Sequence, residues 1–146
     1  MSNNLALLGE RLLRRFGGLI GKKQAGSKVG PRGEEIAVCL LQSRGYRILD
    51  RNVRSRFGEI DLVAKEGPTL CFVEVKSRRT VRMGWPEEAV TEAKQRRLDR
   101  LALWYLKSRR CGDVPVRFDV VSVLFGPEGS VARTRLIKGA FESKRV

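Results

Sequence analysis

The sequence predicts an α/β domain in which helices flank a mixed β-sheet. Apolar periodicity divides the chain between residues 31 and 137 into a helix, three strands, a long helix and two further strands. Glycine and proline mark the turns between the strands. The 146 residues suffice for one domain with a proper hydrophobic core and are too few for two domains of ordinary size.

The composition indicates a polyanionic partner. There are 30 Lys and Arg residues against 16 Asp and Glu residues, which gives a formal net charge of +14. An excess of this size describes partners rather than fold, and nucleic acid is the leading candidate, with an acidic membrane surface as an alternative. No stretch approaches the roughly 18 apolar residues of a membrane span. The chain has no histidine, which excludes histidine-based catalysis and histidine-ligated metals.

The three cysteines indicate the redox environment. Cys39, Cys71 and Cys111 are widely spaced, odd in number and match no zinc site. Cys39 and Cys71 lie in apolar runs, which favours buried thiols in a reducing compartment. We therefore expect a cytoplasmic protein.

Residues 1–29 differ from the rest of the chain. Leucines recur there at roughly helical spacing, and a glycine-rich basic stretch follows. Through Arg32 this part carries seven Lys and Arg residues against Glu10 alone. Arginines interrupt its apolar part, which does not fit a signal peptide. We expect a basic, flexible arm that is attracted to nucleic acid, followed by a folded domain over residues 30–146.

The stretch from Phe57 to Arg79 is predicted to form two strands joined by a turn at residues 66–68, where glycine and proline separate two apolar runs. Side chains alternate between the two faces of a strand. On the first strand, alternation assigns one face to Glu59, Asp61 and Val63 and the other to Ile60 and Leu62. On the second, it assigns one face to Phe72, Glu74 and Lys76 and the other to Cys71, Val73 and Val75. Charged groups thus interrupt strands that are otherwise typical of a core.

The pattern of Asp61, Glu74 and Lys76 is typical of metal-assisted phosphodiester hydrolysis. A buried carboxylate is costly unless it is paired or ligates a metal, and a divalent cation would relieve the repulsion between two carboxylates. Without histidine, the ligands are oxygens, which points to Mg²⁺ or Mn²⁺. Lys76, about 7 Å beyond Glu74 along the strand, could hold the attacking water or a phosphate oxygen. The alternative, which the bare spacing favours, is that Glu74 and Lys76 form an ordinary ion pair and that Glu59 and Asp61 face solvent on an edge hairpin.

Two predicted helices flank this hairpin, and further strands are predicted over residues 46–54, 114–125 and 131–137. The first helix, residues 31–44, carries Glu34 and Glu35, which either suit the positive end of the helix dipole or approach the metal site. The second helix spans residues 87–107. Basic residues follow the hairpin and continue along the second helix: Arg78, Arg79, Arg82, Lys94, Arg96, Arg97 and Arg100. They form either an ordinary solvated face or a surface that binds the nucleic-acid backbone. Trp85 either stacks on a base or fills the core.

The order of elements and several motifs resemble the bacterial YraN-like family, which is placed in the PD-(D/E)XK nuclease superfamily near archaeal Holliday-junction resolvases. The likeness covers about residues 30–125 and rests mainly on G-E-I-D-L at residues 58–62 and F-V-E-V-K at residues 72–76. The other motifs are G-E-E-I-A at 33–37, G-Y-R-I-L at 45–49, N-V-R at 52–54 and R-F-D-V-V at 117–121.

This resemblance implies a restriction-endonuclease-like αβββαβ core. It makes Asp61 and Glu74 metal ligands and Lys76 the catalytic lysine, with Glu34 as the first-helix acid that completes the site. Lys94 and Gln95 match a Lys-Gln pair at the start of the second family helix, which is expected to face DNA.

We therefore expect an endonuclease that depends on Mg²⁺ or Mn²⁺ and acts on DNA, with branched or damaged DNA as candidate substrates. By analogy with resolvases, which act as two-fold dimers on symmetric junctions, a homodimer is expected. The alternative is a non-catalytic nucleic-acid-binding protein, or an adaptor for ribosomal RNA or a repair complex, that retains the nuclease fold. A membrane partner is not expected, because the core of the chain is as basic as the arm.

Overall fold

Two helices and five strands are found in residues 29–79 and 90–144, the parts of the chain that the structure, a computed structural model, describes. In chain order the elements are helix α1 (Val29–Ser43), strands β1 (Arg47–Ser55), β2 (Gly58–Glu66) and β3 (Thr69–Arg78), helix α2 (Glu92–Ser108), and strands β4 (Val116–Phe125) and β5 (Val131–Phe141). A short 3₁₀ turn, Pro127–Gly129, joins the last two strands. No helix within these ranges is long and apolar enough to cross a membrane.

The five strands form one mixed sheet in the order β1-β2-β3-β4-β5. The pairs β1–β2, β2–β3 and β4–β5 are antiparallel, whereas β3 and β4 are parallel and are connected through α2. The parallel pair requires such a crossover, because a tight turn joins only antiparallel strands. The element order contains the αβββαβ core, and the predicted fold class is confirmed.

The two helices cover opposite faces of the sheet. On the α1 face, Leu40 and Leu41 pack with Cys71 and Val73 of β3. On the α2 face, Phe72 of β3 packs with residues of α2 and β4, principally Leu101, Tyr105 and Phe118. Successive β3 residues therefore enter different cores, which confirms the alternation predicted for this strand.

Strict alternation is wrong for β2. Ile60 packs in the core beneath α2 and Leu62 in the core beneath α1, although alternation placed them on one face. The neighbouring strand is irregular at the same level, where Asn52 has a positive φ of 49°. The β2–β3 ladder also ends here, with Leu62 paired to Val73 as its last pair. Asp61 therefore lies at the point where β2 separates from β3.

The helix limits differ from the predicted ones. Helix α1 begins at Val29, so Glu34 and Glu35 lie beyond its first turn and the helix dipole does not account for them. Helix α2 begins at Glu92 because Thr91 is extended and its side chain accepts the N–H of Lys94 at 3.3 Å, which caps the helix. Strand β5 continues to Phe141, beyond its predicted end. The predictions for residues 1–28, for Arg82 and Trp85, and for residues 87–89 of the second helix lie outside the described residues.

Candidate active site

An open cleft of about 460 Å³ lies between the first half of α1 and the second half of β3. It forms where β3 continues past the end of the β2–β3 ladder and remains paired with β4. The residues that line it are Gly30, Glu34, Asp61, Val75, Lys76, Ser77 and Arg78. The fold thus brings together three of the predicted catalytic residues, Glu34, Asp61 and Lys76, although they come from three different elements.

Asp61 is held at the floor of the cleft by the backbone of β3. Its Oδ2 accepts the N–H of Val75 at 2.7 Å, which satisfies a backbone donor at the level where the ladder to β2 has ended. Burial raises the pKa of the Asp61 carboxyl to about 6, and the negative charges of Glu74 and Glu34 add to this, while the Val75 bond opposes it. The side chain is therefore fixed in position and costly to ionise.

Glu74 is bound by two lysines. Its Oε1 accepts a hydrogen bond from Nζ of Lys94 at 2.5 Å and lies 3.4 Å from Nζ of Lys76. The Glu74 side chain is only 13% exposed, so this ion pair is much stronger than one on the surface. The Glu74–Lys76 pair that the spacing favoured does form. It lies in a half-buried cluster, rather than on an edge hairpin.

The sequence did not predict the contact between Lys94 and Glu74. Lys94 was expected to face DNA, but the first turn of α2 brings its side chain to Glu74, and only 19% of it remains exposed. Burial lowers the pKa of Lys76, and the neighbouring ammonium group of Lys94 lowers it further, although Glu74 opposes both. Lys94 itself keeps a raised pKa, because its bonds with Glu74 outweigh its own burial.

Glu34 reaches the cleft because α1 packs closely on β3 at Gly33. A Cβ atom at position 33 would lie 1.8 Å from Oγ and 3.0 Å from Cβ of Ser77, so only glycine permits this approach. The Ser77 Oγ is buried and has no hydrogen-bond partner in the described part of the chain. Sequence reasoning had used Gly33 only as part of a motif. Its contact with Ser77, some forty positions away, gives no local signal.

The carboxylates around the cleft fit a hard divalent cation. All the available donors are oxygens, which suits Mg²⁺ or Mn²⁺, and such ions bind through one or two carboxylates and retain water elsewhere. Glu34 and Asp61 line the same cleft. Among residues 29–79 and 90–144, however, no three Asp, Glu or Cys side chains are close enough together to hold a metal ion. Glu74 is bonded instead to the lysines beside it.

The other predicted nucleic-acid-binding residues are distributed around the cleft and along α2. Arg78 lines the cleft and Arg79 beside it is exposed. On α2, exposed arginines follow one another at helical spacing: Arg96, Arg97 and Arg100. Gln95 donates to the carbonyl of Val90 at 3.2 Å, at the start of the helix. Arg78 and Arg79 thus lie at the cleft, whereas the three arginines lie on α2, which covers the opposite face of the sheet from α1.

A second polar cluster, which sequence reasoning did not identify, lies at the start of β4. The Arg117 guanidinium binds Asp119, the hydroxyl of Tyr46 and Glu66, at 2.8, 2.8 and 2.5 Å. Asp119 is fully buried, and it also accepts the N–H of Gly139 at 3.0 Å. This cluster joins the α1–β1 connection, β2, β4 and β5 away from the cleft. The R-F-D motif contained its two central residues.

The chain resembles known proteins over most of its length. A family model described as "Uncharacterised protein family UPF0102" matches residues 33–123. A UPF0102 protein of Symbiobacterium thermophilum is 55% identical over 116 residues, which cover 80% of this chain and 98% of that protein. A UPF0102 protein of Syntrophus aciditrophicus is 49% identical over 115 residues, which cover 79% and 89%.

Among solved structures, the chain is similar to Hjc of Archaeoglobus fulgidus, a Holliday junction resolvase from an archaeal hyperthermophile. The TM-score is 0.41 and the sequence identity is 19%, over 80% of this chain and 84% of that one. A similarity of this size carries no inference about activity.

Proposed function

The chain belongs to the UPF0102 family, the YraN-like family that its motifs resemble, and we propose that it is a metal-dependent endonuclease that hydrolyses DNA phosphodiester bonds. One observation carries this proposal: Glu34, Asp61 and Lys76 converge on one open cleft, with Glu74 beside them. Two or more carboxylates and a lysine around one cleft are the groups that metal-assisted phosphodiester hydrolysis requires.

Each residue then has a distinct task. Asp61, Glu34 and Glu74 would hold Mg²⁺ or Mn²⁺, which would offset the negative charge that develops on the phosphate oxygens. Asp61 is already oriented by the Val75 N–H. Lys76 donates to the attacking water or to a phosphate oxygen, and so positions the nucleophile and stabilises the developing charge. Arg78, at the edge of the cleft, binds the phosphate backbone.

Lys94 provides Glu74 with an ion-pair partner before substrate and metal bind. A buried carboxylate without a partner would be strongly destabilising, and the 2.5 Å contact with Lys94 provides that partner. Glu74 would have to exchange this ammonium group for the cation, and Lys94 and Lys76 would then be available to bind the phosphate, whose charge is also negative.

The partner and cellular context are proposed on more general grounds. The net charge of +14 and the exposed arginines of α2 support DNA as the partner. Branched or damaged DNA as substrate, and a homodimeric state, rest on the family resemblance alone. The cytoplasmic location rests on the three cysteines, none of which forms a disulfide within the described residues.

A second function is favoured by one specific observation, the neutralisation of Glu74 by two lysines. If Glu74 keeps these partners permanently, the acidic residues do not assemble around a cation. The protein would then bind nucleic acid, or act as an adaptor, without cleaving it.

A cleavage assay with Mg²⁺ or Mn²⁺ distinguishes the two functions. The substrates would be duplex, single-stranded, flapped and four-way-junction DNA, tested with Asp61→Asn and Glu74→Gln. We expect each variant to lose cleavage by about a hundredfold or more while DNA affinity is kept or rises, because a charge that repels phosphate is removed. The matched control is Glu59→Gln, an exposed acid of the same strand β2, which should cleave normally. Tight binding without cleavage in every protein would establish the non-catalytic function.

A further inference from the structure

A second groove, separate from the cleft, runs along the later turns of α2 beside the β1–β2 turn. It has a volume of about 700 Å³ and is open to solvent. The residues that line it are Arg56, Phe57, Arg100, Leu103, Trp104, Lys107 and Ser108. Only Arg100 among them belongs to the basic residues that the sequence assigned to DNA. The aromatic and aliphatic members have no part in the proposed cleavage.

The lining combines accessible apolar surface with positive charge. Leu103 is 39% exposed, and Trp104 and Phe57 are only partly covered by the core beneath α2. Three of the lining residues are cationic and none is acidic. The Arg56 guanidinium lies over the Phe57 ring at 4.8 Å from its centre, so a planar cation is already stacked at one end.

We propose that this groove binds an unpaired segment of nucleic acid, with a base stacked on Trp104 and the backbone phosphates bound by Arg56, Arg100 and Lys107. Aromatic faces set among cations are the usual means of holding single strands without regard to sequence. Paired duplex would use the cations only, because its bases are already stacked on one another. An acidic peptide would likewise use the charge and leave the aromatic faces without a partner.

The position of the groove connects it to the cleft. Lys94, which binds Glu74, and Trp104 lie on the same helix, about 15 Å apart along its axis at 1.5 Å per residue. That length corresponds to about four base steps at the 3.4 Å rise of stacked duplex DNA, and to fewer nucleotides of an extended single strand. Arg97 lies between them and packs against Gly58, at 3.1 Å from the position of a Cβ atom there. A strand held in the groove can therefore continue towards the cleft.

This inference deepens the proposed function, because it makes DNA with an unpaired segment the substrate class. It rests on the proposed function for that link with cleavage, whereas binding in the groove is independent of metal and of the acidic residues. The groove proposal and the nuclease proposal can therefore fail separately. To test the groove alone, binding must be measured in the absence of a divalent cation.

The fluorescence of Trp104 provides a direct measurement. The chain has two tryptophans, so Trp85→Phe leaves Trp104 as the only one. The protein would be titrated in EDTA with a single-stranded oligothymidine, an abasic strand of equal length, a blunt duplex and polyglutamate. We expect the oligothymidine to quench Trp104 strongly and the other three to have little effect, because only the first offers unstacked bases.

Variants measured by the anisotropy of labelled oligothymidine extend the test. Trp104→Leu keeps an apolar side chain but removes the stacking surface, and should weaken single-strand affinity by about tenfold or more. Trp104→Phe, which retains a ring, should recover most of it. Lys107→Gln should weaken binding and reduce its salt dependence, whereas Arg44→Gln, an equal charge change at the exposed end of α1, should do so much less.

The outcomes separate the two proposals. Strong Trp104 quenching by oligothymidine alone supports the groove whether or not the protein cleaves DNA, and Glu74→Gln should leave that quenching unchanged. Equal quenching by the abasic strand or by polyglutamate would overturn the groove assignment, since bases would not be recognised. Single-strand affinity that is unchanged in both Trp104→Leu and Lys107→Gln would overturn it as well.

Discussion

Replacing Asp61 by asparagine should stabilise the metal-free protein, although Asp61 is central to the proposed site. Burial is the main reason that the pKa of this carboxyl rises from 3.8 to about 6. Each pKa unit corresponds to about 1.4 kcal/mol, so ionised Asp61 costs the folded state about 3 kcal/mol at full strength. Partial solvent contact screens some of this, which leaves about 2 kcal/mol. Asparagine retains an oxygen that can accept the Val75 N–H and carries no charge.

The dependence on pH identifies the cause. Above pH 6 the carboxyl is ionised in both the folded and the unfolded chain, so the folded state bears the whole cost. Between pH 6 and about pH 4 the folded state binds the proton first, and the penalty disappears as the pH falls. Below pH 4 both states are protonated. The stabilisation by Asp61→Asn should therefore be about 2 kcal/mol at pH 8 and close to zero at pH 4.

Urea unfolding in EDTA at several pH values measures this difference. The matched control is Glu59→Gln on the same strand, whose ion pair with Arg54 is highly exposed, and its effect should stay within about 0.5 kcal/mol at every pH. A destabilised Asp61→Asn protein at pH 8, or a gain that does not vary with pH, would refute the electrostatic explanation. Confirmation would show that the ionised Asp61 in the cleft lowers the stability of the folded protein, as charged groups in functional sites commonly do.

Two further predictions concern contacts that fix the framework of the site. Gly33→Ala should lower the free energy of unfolding by about 1–3 kcal/mol and reduce cleavage, because the added Cβ would meet the Ser77 side chain. Adding Ser77→Gly should restore much of the stability and of the cleavage. A double variant as impaired as the single variant would contradict the importance of this contact. Arg117→Met should lower the free energy of unfolding in urea by about 3 kcal/mol, because it leaves the buried Asp119 without its cation. Lys138→Met removes a more exposed partner of Glu66 and should lower it by less than about 1 kcal/mol. Equal losses in these two would mean that the burial of Asp119 is unimportant.

The elements that the sequence predicted best are those in which the pattern is local. The turn between β2 and β3 lies at Gly67-Pro68, and β3 alternates between the two cores along its length. The fold class followed from the order of such elements. Alternation failed in β2 because it assumes a regular strand, and at Asp61 β2 leaves its ladder with β3 while it remains paired with β1, whose Asn52 has a positive φ.

The start of α2 shows a different limit. Residues 87–107 have a helical pattern, but Thr91 is extended and caps a helix that begins at Glu92. The sequence contains this capping residue, but the apolar periodicity extends beyond it towards the N-terminus and predicted the earlier start. This shift does not move Lys94 out of the helix. It places Lys94 in the first turn, beside Glu74.

By itself, the sequence determined which chemistry is available. The absence of histidine restricts a metal site to oxygen ligands, the net charge of +14 favours a polyanionic partner, and the strand pattern places Glu74 and Lys76 on one face. These properties depend on composition and on short-range periodicity. Only the tertiary structure decided that Lys94 binds Glu74 and that Gly33 brings α1 to Ser77, because each contact joins residues distant in the chain whose distance depends on how helices pack on the sheet.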